Sequence, residues 1–260
     1  MKRSPLSLLL GWAIIFGLLA PVLHTVWVSF SPDSFLTPPT GEWSGRWYRA
    51  FFEDRRWVAA LLRSQVVAVL AAVVSVMVAG PIAFAVNASE FGGRRLIVVM
   101  VLLPACVPVA ALGMGILSLF YVTGLWGTIG GLVLVHAALG LPVAFLIIRS
   151  HLTPALHEYQ LAARGLGANS WQIARRILIP LLRPALVAAS VAVFVLSLNE
   201  SLVTLFLTTP NTETLPAIVW PQLRYSPTPM VAVASCITAI IGATGVVIVF
   251  RTVVANRVER

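Results

Sequence analysis

Four stretches of this chain carry no Lys, Arg, Asp or Glu: Ser4 to Pro32, Ser64 to Ser89, Leu96 to Ile148 and Tyr225 to Phe250. A helix needs roughly 20 apolar residues to cross the hydrocarbon core of a bilayer. Each gap is therefore long enough for one crossing, and the third for two. Its break is the run from Gly124 to Gly127, where paired glycines mark a turn and Trp126 suits the membrane interface. A further run, Pro184 to Leu207, is apolar apart from Asn199, Glu200 and a few hydroxyls. The chain is 59% hydrophobic and 10% charged, against roughly 25% charged in soluble domains. No single water-surrounded core can hide that much apolar surface. The expected architecture is all-α, a polytopic membrane bundle in one domain over 1–260. Its six spans fall at about 6–30, 60–87, 96–123, 127–149, 184–208 and 229–253, with a cytoplasmic loop at 150–183.

An even number of spans puts both termini on one side. With them fall Lys2, Arg3, Arg94, Arg95, Arg149, Arg164, Arg175, Arg176, Arg183, Arg251, Arg257 and Arg260, twelve basic residues against six on the other side. The richer side is expected to be cytoplasmic. The net charge of +9 is thereby read as topology-setting loop arginine. No interleaving of basic and aromatic residues calls for a nucleic-acid partner. The first apolar run is longer than a signal-peptide core and is expected to stay as a helix. Cys106 and Cys236 both sit in apolar runs and read as buried thiols, not as a disulfide or a metal site.

Prolines at 81, 104, 108 and 142 interrupt the spans. Each frees a backbone carbonyl and can kink its helix, either for packing or to line a pathway. Between the first two spans, Trp43, Trp47, Tyr48, Phe51, Phe52 and Trp57 interleave with charges, as in an amphipathic helix at a membrane surface. Residues 209–228 form a proline-rich connection, either a link or a docking surface. His136 reads as a hydrogen-bonded packing residue, and Ser64 and Gln65 as polar groups that cap the second span or line a cavity.

The long polar stretch at 151–184 is unlike the rest. Thr153 suits a helix N-cap and Pro154 the first helical position, opening a short helix. Gly165 and Gly167 offer a left-handed stop. Asn169 opens a second helix with Gln172 as its reciprocal capping partner. Ile173 and Ile177, with Ala174 and Leu178 offset, make an apolar stripe. Pro180 and Pro184 then end the polar region. Helix–helix links are typically 2–8 residues, so this loop is long enough to be a docking device with an exposed glycine elbow.

The segment from Leu161 to Pro184 resembles the signature loop of binding-protein-dependent ABC importer permeases. Ala162, Ala163, Gly167, Ala168, Pro180 and Pro184 match its pattern. Leu161 stands where that family has Glu, and Glu158, one turn earlier, is the candidate substitute. The third, fourth and fifth apolar runs are similar to the spermidine/putrescine-type branch, with Ser197-Leu198-Asn199-Glu200, Leu205-Phe206-Leu207 and Thr214-Leu215-Pro216 in the corresponding places. The resemblance implies a MetI-like helical fold in a bacterial inner membrane. It also implies a second permease subunit, two ATPase subunits that hold ATP and Mg, and an extracytoplasmic substrate-binding protein. The coupling loop would then comprise Glu158, Ala162, Ala163, Gly165, Gly167, Ala168 and Pro180. The implied cargo is a polyamine, with phosphonate, iron or another small solute as alternatives.

Glu200 is the one acidic residue within an apolar run. Ionisable groups in hydrocarbon cost roughly 2.5–3.5 kcal/mol on insertion scales. Glu200 is therefore expected to face protein or water, either in a translocation pathway with Asn199 or in an interhelical contact. Lys2 is the only lysine, so the chain cannot carry the Gly-x-x-x-x-Gly-Lys phosphate loop. No carboxylate pair or nucleophile–base set points to an enzyme. The other class open to such a chain is an ion-coupled secondary transporter or channel, for which one Glu is thin support.

Overall fold

The computed structural model describes residues 5–88 and 91–258. Lys2, Arg3 and Arg260 of the charge tally lie outside them. The described residues are almost wholly helical: α1 Pro5–Val28, α2 Arg46–Glu53, α3 Arg55–Ala88, α4 Arg94–Cys106, α5 Val109–Thr123 and α6 Ile129–Ser150. They continue as α7 Pro154–Gly165, α8 Ser170–Ile173, a π-helical turn Ala174–Leu178, α9 Ile179–Leu198, α10 Leu202–Leu207, α11 Leu215–Tyr225 and α12 Pro229–Val258. Among the described residues, five stretches are long and apolar enough to cross a membrane, and α4 with α5 makes a sixth if that bent pair is one crossing.

Two differences from the sequence expectation stand out. The 96–123 run is not one kinked rod: α4 and α5 meet at 104°. Val107 is extended, as a residue before proline prefers, and Pro108 lacks the N–H needed to carry the helix on. The fifth span does not begin at Pro184. Helix runs from Ser170 to Leu198, with the π turn absorbing Pro180. A proline ring clashes with the carbonyl four residues back. The wider turn, in which the Ile179 N–H donates to the Ala174 carbonyl, relieves that crowding.

The chain divides into two compact units. In Met1–Ala59 with Ile218–Ile241, an aromatic knot follows α1. The Phe30 ring lies 5.8 Å from Trp43 and 5.2 Å from Tyr48. Trp47 Nε1 donates to the Asp33 carbonyl at 3.0 Å. Phe51, the buried face of α2, packs on Trp57. Asp54 ends α2, and its Oδ1 accepts from the Arg56 N–H at 2.8 Å to start α3. Burial pushes the Tyr48 phenol above its ordinary value, so its hydroxyl stays neutral beside Ser29 Oγ, 2.8 Å away.

In Ala60–Ala217 with Gly242–Arg260, α3 buries Ala60, Ser64, Val67, Ala71, Ala72, Ser75, Ala79 and Ala83 on one helical face. Such small residues let helix backbones approach closely without a hydrophobic driving force in lipid. That face meets Ala144, Phe145 and Ile148 of α6 and Ala189 and Val193 of α9. Gly140 permits the α6–α9 contact, since a Cβ there would collide with Val193 and lie 3.0 Å from Ser75 Oγ. A second cluster joins Phe120 of α5, Leu132 and Val135 of α6, and Val203 and Leu207 of α10.

Candidate functional site

The polar loop folds as two short helices around an elbow. α7 begins at Pro154 after an extended Thr153, whose side chain makes no capping hydrogen bond. At its end the Gly167 N–H donates to the Arg164 carbonyl at 2.9 Å, and the Ala168 N–H to the Ala163 carbonyl at 3.0 Å. That pair of bonds is the Schellman motif, which needs a left-handed residue at its second-last position. Gly167 supplies it with φ +83°, whereas Gly165 is the last helical residue. Ala163 and Ala168 supply the accompanying apolar contact, packing against one small cluster. α8 opens with the expected capping box: Asn169 Oδ1 accepts from the Gln172 N–H and Gln172 Oε1 from the Asn169 N–H, both at 2.9 Å.

The inner side of this hairpin is anchored. Leu156, Ile173, Leu178, Leu182 and Ala185 form a buried cluster, with Phe84 of α3 packed against it. α7 and α9 thereby pack into one shared cluster. The outer side is exposed and apolar at its tip, where Leu166 is 90% and Trp171 69% accessible. Glu158 and Ala162 are exposed, and so is Pro180 on the first turn of α9. Sequence reasoning did not single out Leu166 or Trp171; the signal was an apolar residue between two glycines in a polar loop.

Asn199 and Glu200 occupy the break between α9 and α10. Asn199 is the C-cap of α9, and its Nδ2 donates to the Val195 carbonyl at 2.8 Å. Glu200 Oε1 accepts the Val203 N–H at 3.0 Å, satisfying one first-turn donor of α10 from one residue before its N-cap, Ser201. The carboxylate is half-buried. One oxygen is thus engaged locally. The break itself is braced from α6. His136, 1% accessible, lies 2.6 Å from Ser197 Oγ through Nδ1 and 3.1 Å from Thr204 Oγ1 through Nε2. Thr204 Oγ1 also donates to the Glu200 carbonyl at 3.0 Å. The sequence marks His136 as a packing histidine; only the fold shows that its partners flank the Glu200 break. A second brace holds the segment after α10. Arg63 Nε donates to the Glu213 carbonyl at 2.7 Å, and Ser64 Oγ accepts from the Leu215 N–H at 2.8 Å.

These two features, a capped elbow on one side and a broken apolar helix joined to it through α9, fall within residues 71–260. That stretch matches the family model of binding-protein-dependent transport system inner membrane components. The chain belongs to this family. This inner-membrane component is 28% identical over 228 residues to the spermidine/putrescine permease PotC of Haemophilus influenzae, covering 88% of each chain. It is 29% identical over 257 residues to the putrescine permease PotI of Escherichia coli, covering 94% of this chain and 89% of the relative. It is also 29% identical over 207 residues to the trehalose permease SugB of Mycobacterium tuberculosis, covering 78% of this chain and 73% of the relative. Among solved structures, a bacterial ABC transporter that imports alginate superposes with a TM-score of 0.67 over 97% of both chains, at 20% identity. The shared fold is that of an importer permease.

Proposed function

We propose that this permease forms one half of the translocation pathway of an ATP-driven importer, with residues 1–260 acting as one domain. The observation that carries the reading is the elbow at 154–180, anchored to α9 within and apolar at its exposed tip. The chain has no phosphate loop of its own. Its energy must come from partner subunits that bind ATP and Mg, and the Leu166–Trp171 tip is where one would seat. ATP-driven closure of two such partners moves α7, tilts α9 and opens the pathway toward a docked binding protein; hydrolysis reverses it. This requires two states whose balance the nucleotide biases. The elbow and both termini lie on the cytoplasmic side in this reading, and a second permease subunit supplies the other half.

The cargo in this reading is a small polyamine. The spermidine/putrescine and putrescine relatives support it, as does a carboxylate, Glu200, at the helix break. The trehalose relative sets the competing outcome. The test is uptake into vesicles containing the tagged chain. An ATPase should co-purify, and transport of labelled putrescine should need ATP. Uptake driven by an ion gradient without ATP refutes the coupling; ATP-driven trehalose uptake without putrescine uptake refutes the cargo alone.

A further inference from the structure

An open cavity of about 690 Å³ lies where α4 begins and α6 ends, lined by Phe91, Arg94, Arg95, Val98, Val99 and Arg149. None of its described lining residues is acidic. The Arg149 guanidinium sits 5.7 Å from the Phe145 ring, which fixes it at one wall. Gly93, at φ +93°, precedes the first turn of α4 and offers it no side-chain cap, so the positive end of the helix dipole opens on the same side. From the cavity an apolar stripe follows one face of α4: Leu96, Val99, Met100 and Leu103, all more than half exposed.

A cationic mouth that continues into an exposed apolar stripe matches one class of molecule end to end. We propose that this cavity binds the headgroup of an anionic phospholipid, with its acyl chains laid along the Leu96–Leu103 face of α4. Guanidinium forks hold a phosphate diester through paired N–H donors, and basic pockets between membrane helices are suited to anionic headgroups. An acidic protein face or a soluble anion would answer the arginines and leave the stripe uncovered. The site concerns a lipid and not the cargo, so it stands apart from the polyamine reading.

The test uses the full chain with its co-purifying partners in detergent, titrated with phosphatidylglycerol or with phosphatidylcholine of equal chain length and followed by native mass spectrometry. The expected result is preferential retention of phosphatidylglycerol. Each basic residue near a charged lipid surface contributes about five-fold in affinity, so Arg95→Gln with Arg149→Gln should weaken phosphatidylglycerol retention roughly 25-fold and leave phosphatidylcholine unchanged. The paired lysine substitutions keep the charge and should keep most of the binding. In the unsubstituted chain, phosphatidylglycerol with a photoactivatable acyl chain should label the Leu96–Leu103 segment, a readout independent of whether the glutamine variant inserts. Equal retention of the two lipids, an unchanged double variant or labelling confined to other helices overturns the proposal. Displacement of phosphatidylglycerol by millimolar inorganic phosphate also overturns it and assigns the cavity to a soluble anion.

Discussion

Gly165 and Gly167 stand two residues apart in the same elbow, and a methyl group added at either meets no atom within 4 Å. Sterics with neighbours therefore cannot distinguish them; backbone conformation can. Gly165 is helical, so alanine fits there and lowers unfolded-chain entropy, a gain of about 0.4–1 kcal/mol. Gly167 sits at φ +83°, where an L side chain costs roughly 1–2 kcal/mol. That cost falls on the Schellman cap, which holds Ala168 against Ala163 and aims Leu166 outward. A penalty of 1–2 kcal/mol shifts a two-state balance by about 5–30-fold. Gly167→Val should therefore depopulate the capped elbow and reduce ATP-driven uptake by at most that factor. Gly167→Asn, which tolerates the left-handed region, should fall between valine and the parent. Membrane insertion, followed by yield in the membrane fraction, should be unchanged for all three. Uptake measured in vesicles gives the ranking Gly165→Ala, Gly167→Asn, Gly167→Val. Equal uptake for Gly165→Ala and Gly167→Val would show that the elbow's geometry does not transmit force.

Other substitutions separate the remaining roles. Glu200→Gln keeps an acceptor for the Val203 N–H and removes the charge, so stability should hold while putrescine uptake falls. Glu200→Ala should also lose the hydrogen bond to the Val203 N–H, about 0.5–1.5 kcal/mol, seen as a lower midpoint in detergent thermal unfolding. Gly140→Leu should cost more than 1 kcal/mol by overpacking α6 against Val193, read as reduced yield and thermal midpoint. His136→Leu leaves the Ser197 and Thr204 hydroxyls without their shared partner, at about 1–3 kcal/mol, and the same unfolding assay should register it. Leu166→Glu with Trp171→Glu should abolish co-purification of an ATPase and leave the thermal midpoint in place, since both side chains are exposed.

Much of the loop was legible because its signals are local. A proline at N1, an Asn–Gln capping pair and a glycine four residues past an alanine pair act through bonds between residues at most five positions apart. The spans were legible for a similar reason: uninterrupted apolarity is a property of the chain, and a bilayer sets its required length. The break within the third run and the start of the fifth were not. Val107 and Pro108 turn the chain by 104°, and Pro180 is absorbed by a π turn. A proline leaves both outcomes open, and neighbouring helices choose between them.

The sequence alone determined that this chain is a membrane bundle with a long capped polar loop and no phosphate loop, because hydropathy, caps and a single lysine at position 2 need no partner to be read. Only the tertiary structure decided that His136 braces the Glu200 break, that Leu156 and Phe84 tie the elbow to the span, and that Arg94, Arg95 and Arg149 share one cavity. Those relations join residues dozens of positions apart. They follow from small faces such as that of α3, which let helices pack closely enough for the side chains to meet.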